Sequence, residues 1–212
     1  MLKNYIKIAF RNLFKNRVFT FINVAGLAIG ISCCFLILAH VQDELSYDRF
    51  HKNAKNIYRI ALERLYPTHH TFYAIIPHSF AEVVREDYPE VVDAVRLFTN
   101  QNTTVFRYED EKGTVHIHEE KQFMLADSNF FKMFTVPLLK GNIESALDGP
   151  DKIVVTESIA KKYFGDIDPI GKVITANQVD YKVSAVCKDL PENSHFDFDL
   201  LAGLGSIPFF KT

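Results

Sequence analysis

The most constraining feature of this chain is a run of 23 consecutive residues, Phe19 to Val41, that contains no Asp, Glu, Lys or Arg. The hydrocarbon core of a bilayer is about 30 Å thick, and a helix rising about 1.5 Å per residue needs roughly 20 apolar residues to cross it. A buried helix of a water-soluble protein rarely runs this far without a charge. We therefore expect a transmembrane helix over residues 18–43.

Charge is distributed unevenly on the two sides of this run. Residues 1–42 contain no acidic residue, whereas all 26 acidic residues of the chain follow position 42, together with 19 basic ones. Basic flanks stay in the cytoplasm, so the pattern predicts a cytoplasmic N-terminus in the inner membrane and an extracytoplasmic location for residues after about 43. The acidic body argues against nucleic acid as a partner, because such a binder carries positive charge on its folded domain.

A cleaved signal peptide is the main alternative to a membrane anchor. Its apolar core would be about 7–15 residues long and would end at a cleavage site of small residues. The apolar run here is longer, and Ile37-Leu38-Ala39 is a poor cleavage site. The sequence favours a retained anchor.

The segment before the run has a helical periodicity of its own. Its basic residues recur every four positions and so cluster within about 120° of a helix, with apolar residues on much of the other side. This pattern predicts an amphipathic helix over residues 1–17 that lies at the inner leaflet, with its basic side toward lipid phosphates. The alternative is an exposed helix whose charges only set topology. The candidate membrane-interface residues are Lys3, Lys7, Arg11, Lys15 and Arg17.

Small residues and cysteines mark the predicted transmembrane helix. Gly26 and Gly30 have the spacing that lets a second helix approach closely, which makes them candidate helix-packing residues, although glycine is also common in membrane spans. Cys33 and Cys34 lie in the span, so Cys187 is alone in the remainder. No disulfide can form within that remainder, and we interpret Cys187 as a small buried hydrophobe.

Residues 44–212 are predicted to form an extracytoplasmic domain of the α+β class. Its start has the pattern of a β-α-β unit, with strands over 57–63 and 91–98 and a helix over 80–87 that Ser79 and Glu82 would begin as a capping box. Hairpins and short helices then alternate irregularly, which argues against a doubly wound sheet. The further predictions are strands at 103–108, 114–118, 122–126, 153–155, 172–175 and 179–187, helices at 128–134 and 157–164, the latter between Thr156 and Gly165, and a half-buried strand around 196–200.

Two segments resemble known sites but lack their chemistry. Residues 165–173 have glycines one position too far apart for a phosphate loop, and Val173 replaces the Ser or Thr that binds magnesium. His116 and His118 would point to one face of a strand, as zinc ligands do, but no third ligand is evident. We expect a helix-to-strand turn at the first segment and a solvated strand face at the second. We expect no catalytic, metal or cofactor site on this chain.

Several segments together resemble the MacB-like periplasmic core domain and the start of FtsX/MacB-type ABC transporter permeases. Each segment alone is a weak signal, but they follow one another in the order of that family over nearly the whole chain. The segments are Ala9–Asn16, Tyr47–His51, Asn56–Arg59, Asp127–Phe134, Pro137–Gly141, Val154–Gly165, Asp168–Lys172 and Asp189–Phe196.

The resemblance implies a permease subunit that is not itself an enzyme. ATP would be bound and hydrolysed by a separate cytoplasmic ABC ATPase, and mechanotransmission to the periplasmic domain would drive efflux or extraction of peptides, lipoproteins or drugs. The resemblance also implies a homodimer or paired permease, a periplasmic adaptor, and an outer domain divided into a porter-like β-α-β subdomain and a hairpin-rich second subdomain.

Permeases of this family continue with further domain residues and three more membrane helices. The resemblance therefore predicts that residues 44–212 are incomplete at the C-terminal end. The alternative function is a single-pass anchored sensor or ligand-binding module. A neighbouring ATPase gene would favour the permease, and a histidine kinase domain would favour the sensor.

Overall fold

Two helices with a short break between them form the first unit of the chain. The computed structural model describes residues 2–99 and 102–206 and divides the chain into two units, residues 1–47 and 48–212. α1 (Leu2–Lys15) and α2 (Arg17–Glu44) are separated by Asn16, whose φ of −108° and ψ of 56° are not helical. By length and composition, α2 is able to cross a membrane.

Side chains of α2 close the end of α1. The last carbonyl groups of a helix have no partner within that helix. Here the Thr20 hydroxyl donates to the Leu13 carbonyl at 3.0 Å, and the Arg17 Nε donates to the Phe14 carbonyl at 3.3 Å. These two bonds give the break between the helices a defined structure.

The second unit begins with a segment that has no core of its own. It contains a 3-10 turn (Ala54–Asn56), a hairpin of β1 (Leu62–Leu65) and β2 (His70–Tyr73), and α3 (Phe80–Asp87). None of the described residues 52–99 is buried, and Val92 is 96% exposed. A two-stranded sheet is marginally stable by itself. Residues 52–95, called the arm below, must therefore be held by the rest of the unit.

The remainder of the unit is built on one mixed sheet, which has nine strands in the described part of the chain. Their order is β3-β6-β11-β8-β10-β9-β4-β5, and β7 pairs with β10. The pairs β8–β10 and β6–β11 are parallel, and the other pairs are antiparallel. The strands are β3 (Leu97–Thr99), β4 (Thr104–Glu109), β5 (Val115–Glu120), β6 (Phe123–Ala126), β7 (Leu138–Lys140), β8 (Lys152–Thr156), β9 (Val173–Ala176), β10 (Val179–Cys187) and β11 (Leu200–Gly203).

The central strands β6, β8 and β11 are buried on both faces of the sheet. On one face, Val155 and Leu200 join a cluster with α5 (Glu157–Phe164). On the other face, Val154 and Leu201 join a second cluster with α4 (Phe130–Met133) and Phe198. A 3-10 turn (Leu204–Ser206) follows β11. Two apolar layers on one sheet are the main source of stability, because buried apolar area is the dominant favourable contribution to folding.

The α+β class and most elements after residue 102 are confirmed. The β4–β5 hairpin, β6, β8, α5 and the β9–β10 hairpin lie within a residue or two of the predicted bounds, whereas α4 is shorter than predicted. Thr156 caps α5 by accepting from the Ile159 N–H at 3.4 Å, and Gly165 ends it at a φ of 59°. Asn177 and Gln178 both have positive φ, as the tight turn between β9 and β10 requires.

The predicted β-α-β start is wrong in its pairing. Strands flank α3, but β1 pairs with β2 in a separate small sheet, and β3 belongs to the large sheet. Residues 57–61 and 91–96 are not strands. Ser79 does not form the predicted capping box, because its own φ of −64° and ψ of −18° are helical and its side chain makes no capping bond.

Four further expectations can be compared with the structure. Residues 165–173 form the predicted helix-to-strand turn, and Cys187 is buried. The strand expected around 196–200 as half-buried lies instead at 200–203 and is fully buried, because it runs through the centre of the sheet. The face of His116 and His118 is half-buried rather than solvated, because the His118 ring packs 4.4 Å from the Tyr163 ring of α5.

Two glycines with positive φ give a matched test of the fold. An added Cβ at Gly141, whose φ is 91°, would lie 2.6 Å from the Ser184 carbonyl oxygen, whereas at Gly113, with a φ of 78°, it would meet nothing within 4 Å. We expect Gly113→Ala to cost about 1 kcal/mol through backbone strain, and Gly141→Ala to cost roughly 3 kcal/mol or more through strain and steric overlap. Urea unfolding of the full chain in detergent measures both. Equal losses would contradict the close approach of Gly141 to β10.

Candidate functional site

The first residue of the second unit is fixed to the loop that precedes β11. Asp48 has a φ of 56°, a backbone conformation that Asp tolerates better than most residues. Its N–H donates to the Asn193 carbonyl at 3.0 Å, and its carboxylate accepts from the His195 N–H at 3.0 Å. The same carboxylate lies 2.7 Å from His195 Nδ1, which must carry the proton because a carboxylate only accepts. Residues 147 positions apart are thus joined.

His51 inserts into the unit beside this pair. The residue is 4% exposed, and its Nδ1 accepts from the Thr135 N–H at 3.1 Å. The next residue, Lys52, donates its N–H to the Thr135 hydroxyl at 2.9 Å. The imidazole ring packs among the rings of Phe134 and Phe196, at centroid distances of 5.3 and 5.8 Å. We call Asp48, His51, Thr135, His195 and Phe196 the junction cluster.

The electrostatics of His51 require a neutral ring. A nitrogen that accepts a hydrogen bond cannot carry a proton, so the proton of the neutral ring is on Nε2. Nε2 is buried and finds no hydrogen-bond partner among the described residues. Burial lowers the pKa of His51, and the nearby Asp48 carboxylate opposes this effect. The ring is held by the hydrogen bond at Nδ1 and by the aromatic rings packed around it.

A second joint fixes the other end of the arm. The Arg96 guanidinium donates to the Asp127 carboxylate from Nε at 3.0 Å and from Nη2 at 2.9 Å, and the Arg96 N–H donates to the same carboxylate at 2.8 Å. The hydrogen bonds to Asp127 raise the pKa of Arg96. Asn129 donates from Nδ2 to the Ala94 carbonyl at 3.1 Å. The arm is therefore tied at both ends to the segments on either side of α4.

A buried carboxylate holds α5 at the edge of the sheet. Glu120 accepts from Lys162 Nζ at 2.7 Å and from the Tyr163 hydroxyl at 2.8 Å. Burial and the bond to Glu120 raise the pKa of Tyr163, and burial and the charge of Glu120 raise the pKa of Asp199. Among the described residues, no group of three or more His, Cys, Asp or Glu side chains is arranged to hold a metal ion. The contacts of Glu120 are those of a structural ion pair.

The predicted site residues all lie in the first unit. Lys3, Lys7, Arg11 and Lys15 are exposed on α1, whereas Arg17 begins α2 and is not on the same helix. Gly26 and Gly30 lie in an apolar groove along α2. The other residues lining this groove are Leu27, Ile31, Cys34, Phe35 and Leu38.

The junction cluster was not identified from the sequence. Its residues do lie in or beside three of the segments that carry the family resemblance, namely 47–51, 127–134 and 189–196. Nothing in the order of these segments indicates that they meet. The signal that could have found them is chemical, since Asp48 and His195 are a carboxylate and an imidazole in segments without another stated role.

Comparison with known proteins shows the family to which the chain belongs. Residues 20–207 match the family described as the MacB-like periplasmic core domain. No curated protein sequence matches the chain. A domain described as that of a permease protein from Porphyromonas gingivalis is 29% identical, with a TM-score of 0.50, and the match covers 60% of this chain and 57% of that one.

Two further solved structures resemble the chain more distantly. The periplasmic region of MacB from Actinobacillus actinomycetemcomitans is 14% identical with a TM-score of 0.46, covering 63% of this chain and 57% of that one. The extracellular domain of the noncanonic ABC-type transporter YknZ from Gram-positive bacteria is 14% identical with a TM-score of 0.45, covering 64% and 66%. The chain spans less than two thirds of each of the three structures. Because the family match extends over residues 20–207, the chain belongs to the family of the MacB-like periplasmic core domain.

Proposed function

We propose that this chain is the membrane-anchored N-terminal part of an ABC transporter permease of the MacB/FtsX type. ATP is hydrolysed on a separate cytoplasmic ATPase subunit, and this chain carries no cofactor and performs no catalysis. Movement of α2 displaces the second unit on the outer side of the inner membrane. The substrates that fit this role are peptides, lipoproteins or drugs taken from that side.

The junction cluster is the observation that carries this proposal. α2 ends at Glu44, and three residues separate it from Asp48, the first residue of the second unit, which is hydrogen-bonded to Asn193 and His195. A mechanical link requires short, ordered chain at this point, because a flexible linker would absorb displacement. The contacts of Asp48 and His51 provide a defined point of attachment on the side of the second unit.

The first unit supports the membrane part of the proposal. The exposed basic residues of α1 suit an interfacial helix that binds anionic lipid, and the uncharged length of α2 suits a span. The glycine groove on α2 suits a second helix, which we assign to a second copy of the chain in a homodimer. A periplasmic adaptor would bind the outer unit.

Lengthening the junction tests the mechanical coupling. Insertion of a flexible Gly/Ser segment after Ser46 in the full-length permease should abolish most of its export while its ATPase continues to hydrolyse ATP, because the slack absorbs the motion of α2. The control is the same insertion after Lys112, in the turn between β4 and β5, which should leave export unchanged. Export that survives the first insertion would count against coupling through this junction.

Thiol labelling tests the orientation. In a Cys33→Ser/Cys34→Ser background, an impermeant maleimide applied to intact spheroplasts should modify Lys112→Cys, and should modify Lys3→Cys only after permeabilisation. Cys187 should not react with the maleimide because it is buried, and burial raises the pKa of its thiol to about 12. The opposite labelling pattern would place the second unit in the cytoplasm.

Adjacent cysteines on α2 test the helix-packing face. Cys34 lines the groove with Gly26 and Gly30, and Cys33 does not. Oxidation in membranes should crosslink two copies of Cys33→Ser, which retains Cys34, and should crosslink Cys34→Ser several-fold less. Gly30→Leu, added to Cys33→Ser, should prevent crosslinking by filling the groove. Equal crosslinking of the two single variants would show that this face does not meet a second copy.

A further inference from the structure

The hydrogen bond between Thr135 and His51 can exist in one protonation state only. The Thr135 backbone N–H is a donor that cannot change role, so His51 Nδ1 has to be an unprotonated acceptor. When the ring takes up a second proton, both nitrogens become donors and the contact becomes donor against donor. The junction shown by the structure therefore requires neutral His51.

We propose that the junction cluster is an acid-sensitive latch, in which protonation of His51 breaks its hydrogen bond with the Thr135 N–H and drives the imidazole ring out of its packed position. The proposal concerns the junction itself and goes beyond the transport role proposed above. Histidine is the side chain whose ordinary pKa lies within the range over which the pH of an external medium varies. An outer domain would be exposed to that medium.

The surroundings of the ring make the protonated form unstable in place. The rings of Phe50, Phe134 and Phe196 have centroids 4.1 to 5.8 Å from that of the imidazole, and they cannot accept a hydrogen bond from the new N–H at Nδ1 as a carbonyl or carboxylate would. Nε2 already lacks a hydrogen-bond partner among the described residues. A charged ring in this position would have to leave it for water.

The charged groups on the neighbouring segments do not stabilise a protonated His51 ring as water would. Asp48 acts on the His51 ring and favours its charged form, but its carboxylate is already held by His195. Lys52, next in the chain, and Lys132, on α4, are exposed and carry positive charge. The Asp48 carboxylate is the charge that raises the pKa of His51, and its effect is smaller than that of burial.

The direction of the pH effect follows from the lowered pKa of His51. The opened form takes up a proton near the ordinary value of 6.5, whereas the closed form takes it up at lower pH. The free energy that favours the closed form over the opened form is thus largest above about pH 6.5. It decreases as the pH falls toward the lowered pKa of His51. While the closed form stays neutral, each unit of pH below 6.5 shifts the equilibrium toward opening by about tenfold.

Hydrogen exchange of the full chain in nanodiscs tests the latch. The protection of the Thr135 amide, corrected for intrinsic exchange, should fall several-fold and up to about tenfold between about pH 7.5 and about pH 5.5. The amides of β8 serve as the internal reference and should not change. Unchanged protection at Thr135, or an equal loss in β8, would overturn the proposal.

Two matched variants identify the titrating group. His51→Asn places an acceptor oxygen near the position of Nδ1 and does not titrate, so the pH dependence at Thr135 should disappear. His195→Asn removes the other histidine of the junction cluster but places an amide Nδ2 donor near the position of Nδ1, so Asp48 keeps a partner and the pH dependence of the wild type should remain. Persistence of the effect in His51→Asn, or its loss in His195→Asn, would show that His51 is not the sensor. If His51→Asn does not fold, His195→Asn still decides the question, because pH dependence that survives the loss of His195 leaves His51 as the titrating histidine of the cluster.

Discussion

The packing of Ile153, Val154 and Val155 constrains the rest of the second unit, because their strand presents apolar side chains to both faces of the sheet. Ile153 and Val155 lie in one cluster and Val154 in the other, and all three are fully buried. The two apolar clusters cover both faces of this strand, and its neighbours β10 and β11 pair with both of its edges. The arm and the junction cluster have a fixed support because this centre exists.

The elements that the sequence predicted well are those with local signals. The β9–β10 hairpin depends on Asn177 and Gln178, and α5 depends on Thr156 and Gly165, all of which act within a few residues. The uncharged length of α2 is equally local. The family resemblance also rested on short contiguous motifs, and the match over residues 20–207 confirms it.

The failures have a different physical origin. Residues 91–96 looked like a strand, but their position is set by the bond between Arg96 and Asp127 rather than by pairing. Asp48 and His195 meet across 147 positions, and no periodicity of either segment encodes that contact. The strand at 200–203 was placed too early because alternation around Asp197 and Asp199 suggested one exposed face. Long-range partners decided all three cases.

The arm has a consequence for how the protein is made. Residues 52–95 leave the ribosome before Asp127, Thr135 and Phe196, on which their position depends. Domains generally fold as units during synthesis, yet here the earlier segment has to wait for the later one. During that interval the arm lacks the hydrogen bonds that fix its two ends, from the Lys52 N–H to Thr135 and from Asn129 to the Ala94 carbonyl. Synthesis must therefore pass Thr135 before both ends of the arm can be fixed.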